Sequence, residues 1–186
     1  MHFLPGNIED MKPFLSIIDR TSGGMGILAA WIVLPLIFAT VYEVLSRYLF
    51  NAPTIWAYEV GYMATGANFL LGAAFALREK SHIRIDVAYM RFRPRTKALV
   101  DILGYTFLML PFGYWLSYRL GIYAFDALLS GDRSGESAWN PIIWPYRTVF
   151  FAGIAMLTLQ CTAEWIRALR MYFYGIHDER ESADHG

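Results

Sequence analysis

The sequence predicts an all-α membrane protein with four transmembrane helices and both termini in the cytoplasm. Three observations predict it: four long apolar runs free of charge, a strongly basic loop between the second and third, and aromatic residues gathered at the run ends. Of 186 residues, 56% are hydrophobic and only 17% charged, which is too apolar for an ordinary soluble domain of this size.

The amino terminus is not built as a cleavable signal, because Glu9, Asp10 and Asp19 stand among its few basic residues and no small-residue cleavage site follows. Lys12 to Arg20, KPFLSIIDR, has charged ends around an apolar middle, the pattern of a short amphipathic helix lying in the interface before the first span. Gly23 to Tyr42 is then twenty residues without a charge, and Val60 to Leu77 is eighteen. Each is close to the length a helix needs to cross about 30 Å of hydrocarbon. Ile102 to Tyr118 is seventeen uncharged residues and Thr148 to Ala163 is sixteen, and apolar flanks extend both to full spans. The four spans are set at 23–45, 56–77, 98–120 and 142–165 of one membrane domain. Pro35 and Pro111 interrupt the first and third runs, where a kink is expected.

Four spans place both termini on one side. The ends and the 78–97 loop together hold twelve Lys and Arg, against four in the other two loops. The excess marks the cytoplasmic side. The cytoplasmic parts are then the 78–97 loop and the 166–186 tail, and 121–147 is external. Within the middle loop His82, Ile83, Arg84, Ile85 and Asp86 alternate polar with apolar. Asp86 is positioned to cap a second short interfacial helix running to Pro94. The external segment from Ser130 to Arg147 begins Gly-rich and ends with aromatics and two prolines, which suits a mobile turn returning to the membrane surface.

Several function classes lose support here. Sixteen basic residues balance sixteen acidic ones, so net charge gives no footing for nucleic acid. The single Cys161 cannot make an internal disulfide or a redox pair. His2, His82, His177 and His185 lie outside the spans, where a haem clasped between helices needs its ligands inside. No HExxH pattern and no hydrolase spacing occurs. No enzymatic function and no cofactor in this chain are expected. His82, Arg84 and Asp86 share one face of an extended step, but the anchoring reading is preferred to a metal or catalytic trio.

Glu43 and Arg47 are four apart at the outer end of the first span, and Glu59 opens the second across a short turn with Asn51 and Pro53. Arg47 can pair with either carboxylate. Mutual neutralisation locks the hairpin, and a proton or sodium relay is the alternative. In the second span Ala57, Gly61, Thr65, Asn68, Gly72 and Ala76 recur every three or four residues. They form one stripe of small residues suited to close helix packing, although Gly66, Ala67, Ala73 and Ala74 make other faces small too. Asn68 within the stripe and Gln160 in the fourth span are placed to hydrogen-bond neighbouring helices, with substrate coordination as the alternative.

The blocks RYLFNAPTIWAYE, Arg47 to Glu59, and GAAFALREKSHIRIDV, Gly72 to Val87, resemble the DctQ-like small membrane subunit of tripartite ATP-independent periplasmic (TRAP) transporters. That family shows an Arg-Tyr-x-Phe-Asn turn before a tryptophan and a glutamate, then Gly-Ala, Arg-Glu and a His-x-Arg-x-Asp step. Gln160 fits a late glutamine in its last span. The resemblance implies a division of labour in the bacterial inner membrane. A soluble periplasmic protein captures an organic acid or related solute, and a large membrane subunit moves it by sodium symport, sodium binding to that large partner. The small subunit is the scaffold that packs against it and helps dock the binding protein. The competing reading is a self-sufficient small carrier or channel, which would have to oligomerise to line a path.

Overall fold

The computed structural model describes residues 12–79 and 94–174, and all of the regular elements there are helices. Helix α1 spans Lys12–Leu49, α2 spans Ala57–Arg78, α3 spans Pro94–Gly104, α4 spans Leu110–Ser130 and α5 spans Trp144–Tyr174. A π-turn, Tyr105–Met109, joins α3 to α4 in one continuous rod. Four helical units, α1, α2, the rod and α5, are long and apolar enough to cross a membrane.

The packing is an open row. Helix α2 lies against α1 on one side and α5 on the other, and the rod packs on α5. Helix α1 also meets α5 at the end of the row where Lys12, Arg78 and Tyr174 lie, here called the termini end; the opposite end carries the two loops. Small side chains allow these approaches: Ala39, Ala74, Ala127 and Ala163 are all completely or almost completely buried. Gly153 marks an approach to backbone. A Cβ there would stand 2.8 Å from Leu70 Cβ and 3.1 Å from its carbonyl carbon, so α5 rides on the backbone of α2. At Gly26 the missing side chain leaves room for the Phe75 ring, whose nearest atom would be 2.5 Å from a Cβ.

Lys12–Arg20 forms the first turns of α1, continuous with the span and not a helix of its own. The physical reason is tertiary. Leu15 and Ile18 are buried in a cluster with Ala74, Met156 and Ala163, so these turns face α2 and α5 and the helix continues straight from them. The second predicted interfacial helix, with His82, Arg84 and Asp86, lies outside the described residues.

Helices also run past their apolar cores. The rod continues through Arg119 and Asp126 to Ser130, and α5 through Glu164, Arg167 and Arg170 to Tyr174, because charge limits only the part that meets hydrocarbon. Helix α1 runs on through Pro35. Near Pro111 the rod changes gauge one turn earlier: the Leu110 N–H bonds the Tyr105 carbonyl, five residues back. Pro111 has no N–H to give and its ring crowds the preceding turn, and the wider π-turn absorbs both.

Helix α4 stops at Gly131, which adopts φ +66° and returns its N–H to the Ala127 carbonyl at 3.1 Å. The segment that follows is tied together by its own hydrogen bonds. Arg133 and Ile142 form an antiparallel bridge, and Ser134 N–H and Ile143 N–H bond Pro141 and Asp132 carbonyls, each at 3.0 Å. Asn140, at φ +44°, turns its side-chain oxygen to the Gly135 N–H at 2.9 Å.

Candidate functional site

At the loop end Glu43 is the organising group. One oxygen, Oε1, accepts from Arg47, whose Nε lies 3.0 Å away and whose Nη2 is closer still. The other, Oε2, accepts the Thr54 N–H at 2.8 Å and the Thr54 hydroxyl. Glu43 thus ties the last turns of α1 to the connection that leads into α2. The choice left open for Arg47 resolves in favour of Glu43, on its own helix.

Glu59 takes a different partner. Its side chain is fully buried in the first turn of α2, and Oε1 accepts the hydroxyl of Ser137 from the 131–143 loop, while Oε2 has no hydrogen-bond partner. Ser137 Oγ also accepts the Trp139 N–H at 3.1 Å. The loop tip is therefore fastened to α2 by one serine.

A second brace holds the base of the same loop. Arg147 Nη1 donates to Asp132 Oδ2 at 2.9 Å, and its guanidinium carbon lies 3.7 Å from the centre of the Tyr123 ring, a cation–π geometry. The Ser130 hydroxyl and then Arg147 hold the Asp132 carboxyl below its ordinary value.

At the termini end α1 and α5 are joined by a polar cluster. Ser22 Oγ donates to Gln160 Oε1 at 2.8 Å, and Gln160 Nε2 donates to Asp19 Oδ1 at 3.1 Å. Arg167 bridges two carboxylates, giving Nη2 to Asp19 and Nη1 to Glu164, each at 2.6 Å. Ser22, Gln160 and Glu164 are buried. In mid-membrane, Asn68 Nδ2 donates to the Ala29 carbonyl of α1 at 2.6 Å. The small-residue stripe is only partly used inside the chain. Ala57 is buried and Gly72 meets Ala29, but Thr65 is exposed and a Cβ on Gly61 would touch nothing within 4 Å.

Sequence reasoning named Glu43, Arg47, Glu59, Asn68 and Gln160, and the structure brings Gln160 together with four residues it did not single out: Asp19, Ser22, Glu164 and Arg167. The signal was present as Gln160, Glu164 and Arg167 at spacings of four and three, which places all three on one helix face. Ser137 gave no such signal.

Among the described residues no three His, Cys, Asp or Glu side chains converge as metal ligands. The polar groups just described are engaged with other helices or with the chain's own loops. Fold and polar contacts together define a multi-pass helical membrane protein whose buried polar side chains join its elements to one another. Residues 36–171 match the family described as Tripartite ATP-independent periplasmic transporters, DctQ component, and the chain belongs to that family. It is thus the small component of a TRAP transporter. No curated protein and no solved structure matches the chain.

Proposed function

We propose that this chain is the non-catalytic small subunit of a sodium-driven transporter for an organic acid or related solute. It packs against and stabilises the large transport subunit and helps position the periplasmic binding protein. Sodium and solute bind the large subunit. The chain sits in the bacterial inner membrane with both termini cytoplasmic, a reading supported by twelve basic residues on that side against four on the other. Arg47, Glu43, Glu59, Asn68 and Gln160 serve assembly in this reading, and His82, Arg84 and Asp86 anchor the cytoplasmic loop.

The observation that carries the proposal is the open row. The rod leans on α5, and none of the eighteen residues in its most apolar window is buried, while α1 exposes Ile27, Trp31, Leu34 and Phe38. Such faces leave room for a large membrane partner, and Asn68, Ser22, Gln160, Glu164 and Arg167 are spent on contacts between the chain's own helices or within one of them. Reconstituted alone into vesicles, the chain is expected to give no sodium-dependent flux above empty vesicles. Flux from the chain alone would replace this proposal with the self-sufficient carrier.

A further inference from the structure

Between α1 and α5 a groove of about 530 Å³ opens sideways, lined by Gly24, Met25 and Leu28 on one wall and Ala155, Met156 and Leu159 on the other. Thr21 is also at its edge, but the threonine hydroxyl is spent on the Ile17 and Ile18 carbonyls at 2.8 and 2.9 Å. The lining is therefore effectively apolar, and the two methionines give it an adaptable surface. Both walls belong to uncharged stretches, from Gly23 on α1 and up to Ala163 on α5, so the groove opens into hydrocarbon.

One cation stands at the mouth. Arg20 lies a single helical turn before Gly24, on nearly the same face of α1, and just outside the uncharged stretch, at the depth of headgroups. It is exposed and makes no ion pair among the described residues. The neighbouring carboxylate, Asp19, is already engaged by Gln160 and Arg167, so among the described residues Arg20 is the charge left to meet a phosphate at the mouth.

We propose that this groove seats one acyl chain of an anionic phospholipid whose phosphate rests on the Arg20 guanidinium. The lipid comes from the leaflet at the termini end, the cytoplasmic one by charge bias. A phospholipid suits the groove better than a partner helix, because an apolar groove with an exposed guanidinium one turn beyond its edge matches an acyl chain joined to an anionic headgroup. The attraction of a basic side chain near the surface to anionic lipid is modest per residue, and here it adds to burial of the chain.

The test is native mass spectrometry of the full chain, purified and equilibrated with phosphatidylglycerol or with phosphatidylcholine. The wild type is expected to retain one phosphatidylglycerol under activation that strips phosphatidylcholine. Arg20→Gln is expected to lower that retention about fivefold, and Arg20→Lys to restore most of it. Gly24→Leu fills the groove, and since a Cβ there meets nothing within 4 Å and leucine favours the helix over glycine, the variant is expected to melt no lower than the wild type but retain neither lipid. Equal retention of the two lipids, or retention unchanged in Gly24→Leu, would overturn the site. A disulfide from Gly24→Cys to a larger membrane protein, without labelling of the groove by a photoactivatable phosphatidylglycerol, would assign the groove to that protein and also overturn it.

Discussion

Arg167 on α5 donates through Nη2 to Oδ2 of Asp19 on α1 at 2.6 Å, across 148 residues of sequence. Both side chains are largely removed from the surface, at 11% and 18% exposure. The same guanidinium also serves Glu164, so one cation is shared by two carboxylates at the crossing of α1 and α5.

Sharing makes the partners unequal. Arg167→Ala removes a cation that two carboxylates share and is expected to cost about 3 kcal/mol of folding stability, whereas Asp19→Ala leaves Arg167 on Glu164 and costs less. Unfolding titrations of the two single variants and the double variant check this. The double variant should fall well short of the sum, and additive losses would reject the coupling.

At the hairpin the expected order is set by Glu43. Arg47 is 58% exposed, so Arg47→Ala is expected to cost well under about 1 kcal/mol. Glu43→Ala also strips the acceptor from the Thr54 N–H and hydroxyl, and is expected to cost about 1–2 kcal/mol more. Exchanging the charges of Arg47 and Glu43 should recover part of the loss, and exchanging Arg47 and Glu59 should not. The readout is yield of folded protein together with the unfolding midpoint.

Much of this was legible beforehand, for physical reasons that differ by element. Twenty uncharged residues from Gly23 admit one reading, and helix spacing alone put Glu43 beside Arg47. Other features depend on what arrives from far along the chain. Lys12–Arg20 reads as an interfacial helix until Met156 and Ala163 pack against Leu15 and Ile18. Arg167 counts from sequence as one more cytoplasmic charge, yet it is half-buried between two helices because Asp19 and Glu164 meet it there. Glu59 was assigned to the hairpin because Arg47 is near in sequence, and its actual donor, Ser137, lies 78 residues away.

Gly153 is expected to tolerate no side chain. In Gly153→Ala the new Cβ would press on Leu70 at 2.8 Å and on its backbone, forcing α2 and α5 apart at a cost of about 1–3 kcal/mol. Gly61→Ala is the control: its Cβ meets nothing within 4 Å, and the gain in helix propensity is expected to stabilise the chain by up to about 1 kcal/mol. The same unfolding titration reads both.

The Asp132 brace carries a pH signature. Its carboxyl is held below the ordinary value by Ser130 and Arg147, so its contribution is complete above the unfolded-state pKa and is lost as pH falls through the lowered folded value. The loop should stay pinned through neutral and mildly acidic pH and loosen only in strong acid. Thiol-labelling of Glu136→Cys follows this when its rate is divided at each pH by that of an unstructured cysteine peptide, which removes the thiolate's own titration, and that ratio is expected to climb at the acid end. Adding Asp132→Asn should make the ratio high and nearly independent of pH.

The most direct test of the subunit assignment is purification of the tagged chain from its own membranes in mild detergent, with the mass of the complex measured. Stoichiometric recovery with a larger multi-pass membrane protein is expected, and loss of that protein when charged residues are placed along the exposed faces of α1 or the rod. Recovery of this chain alone, or only with copies of itself, in a state that carries solute would contradict the assignment.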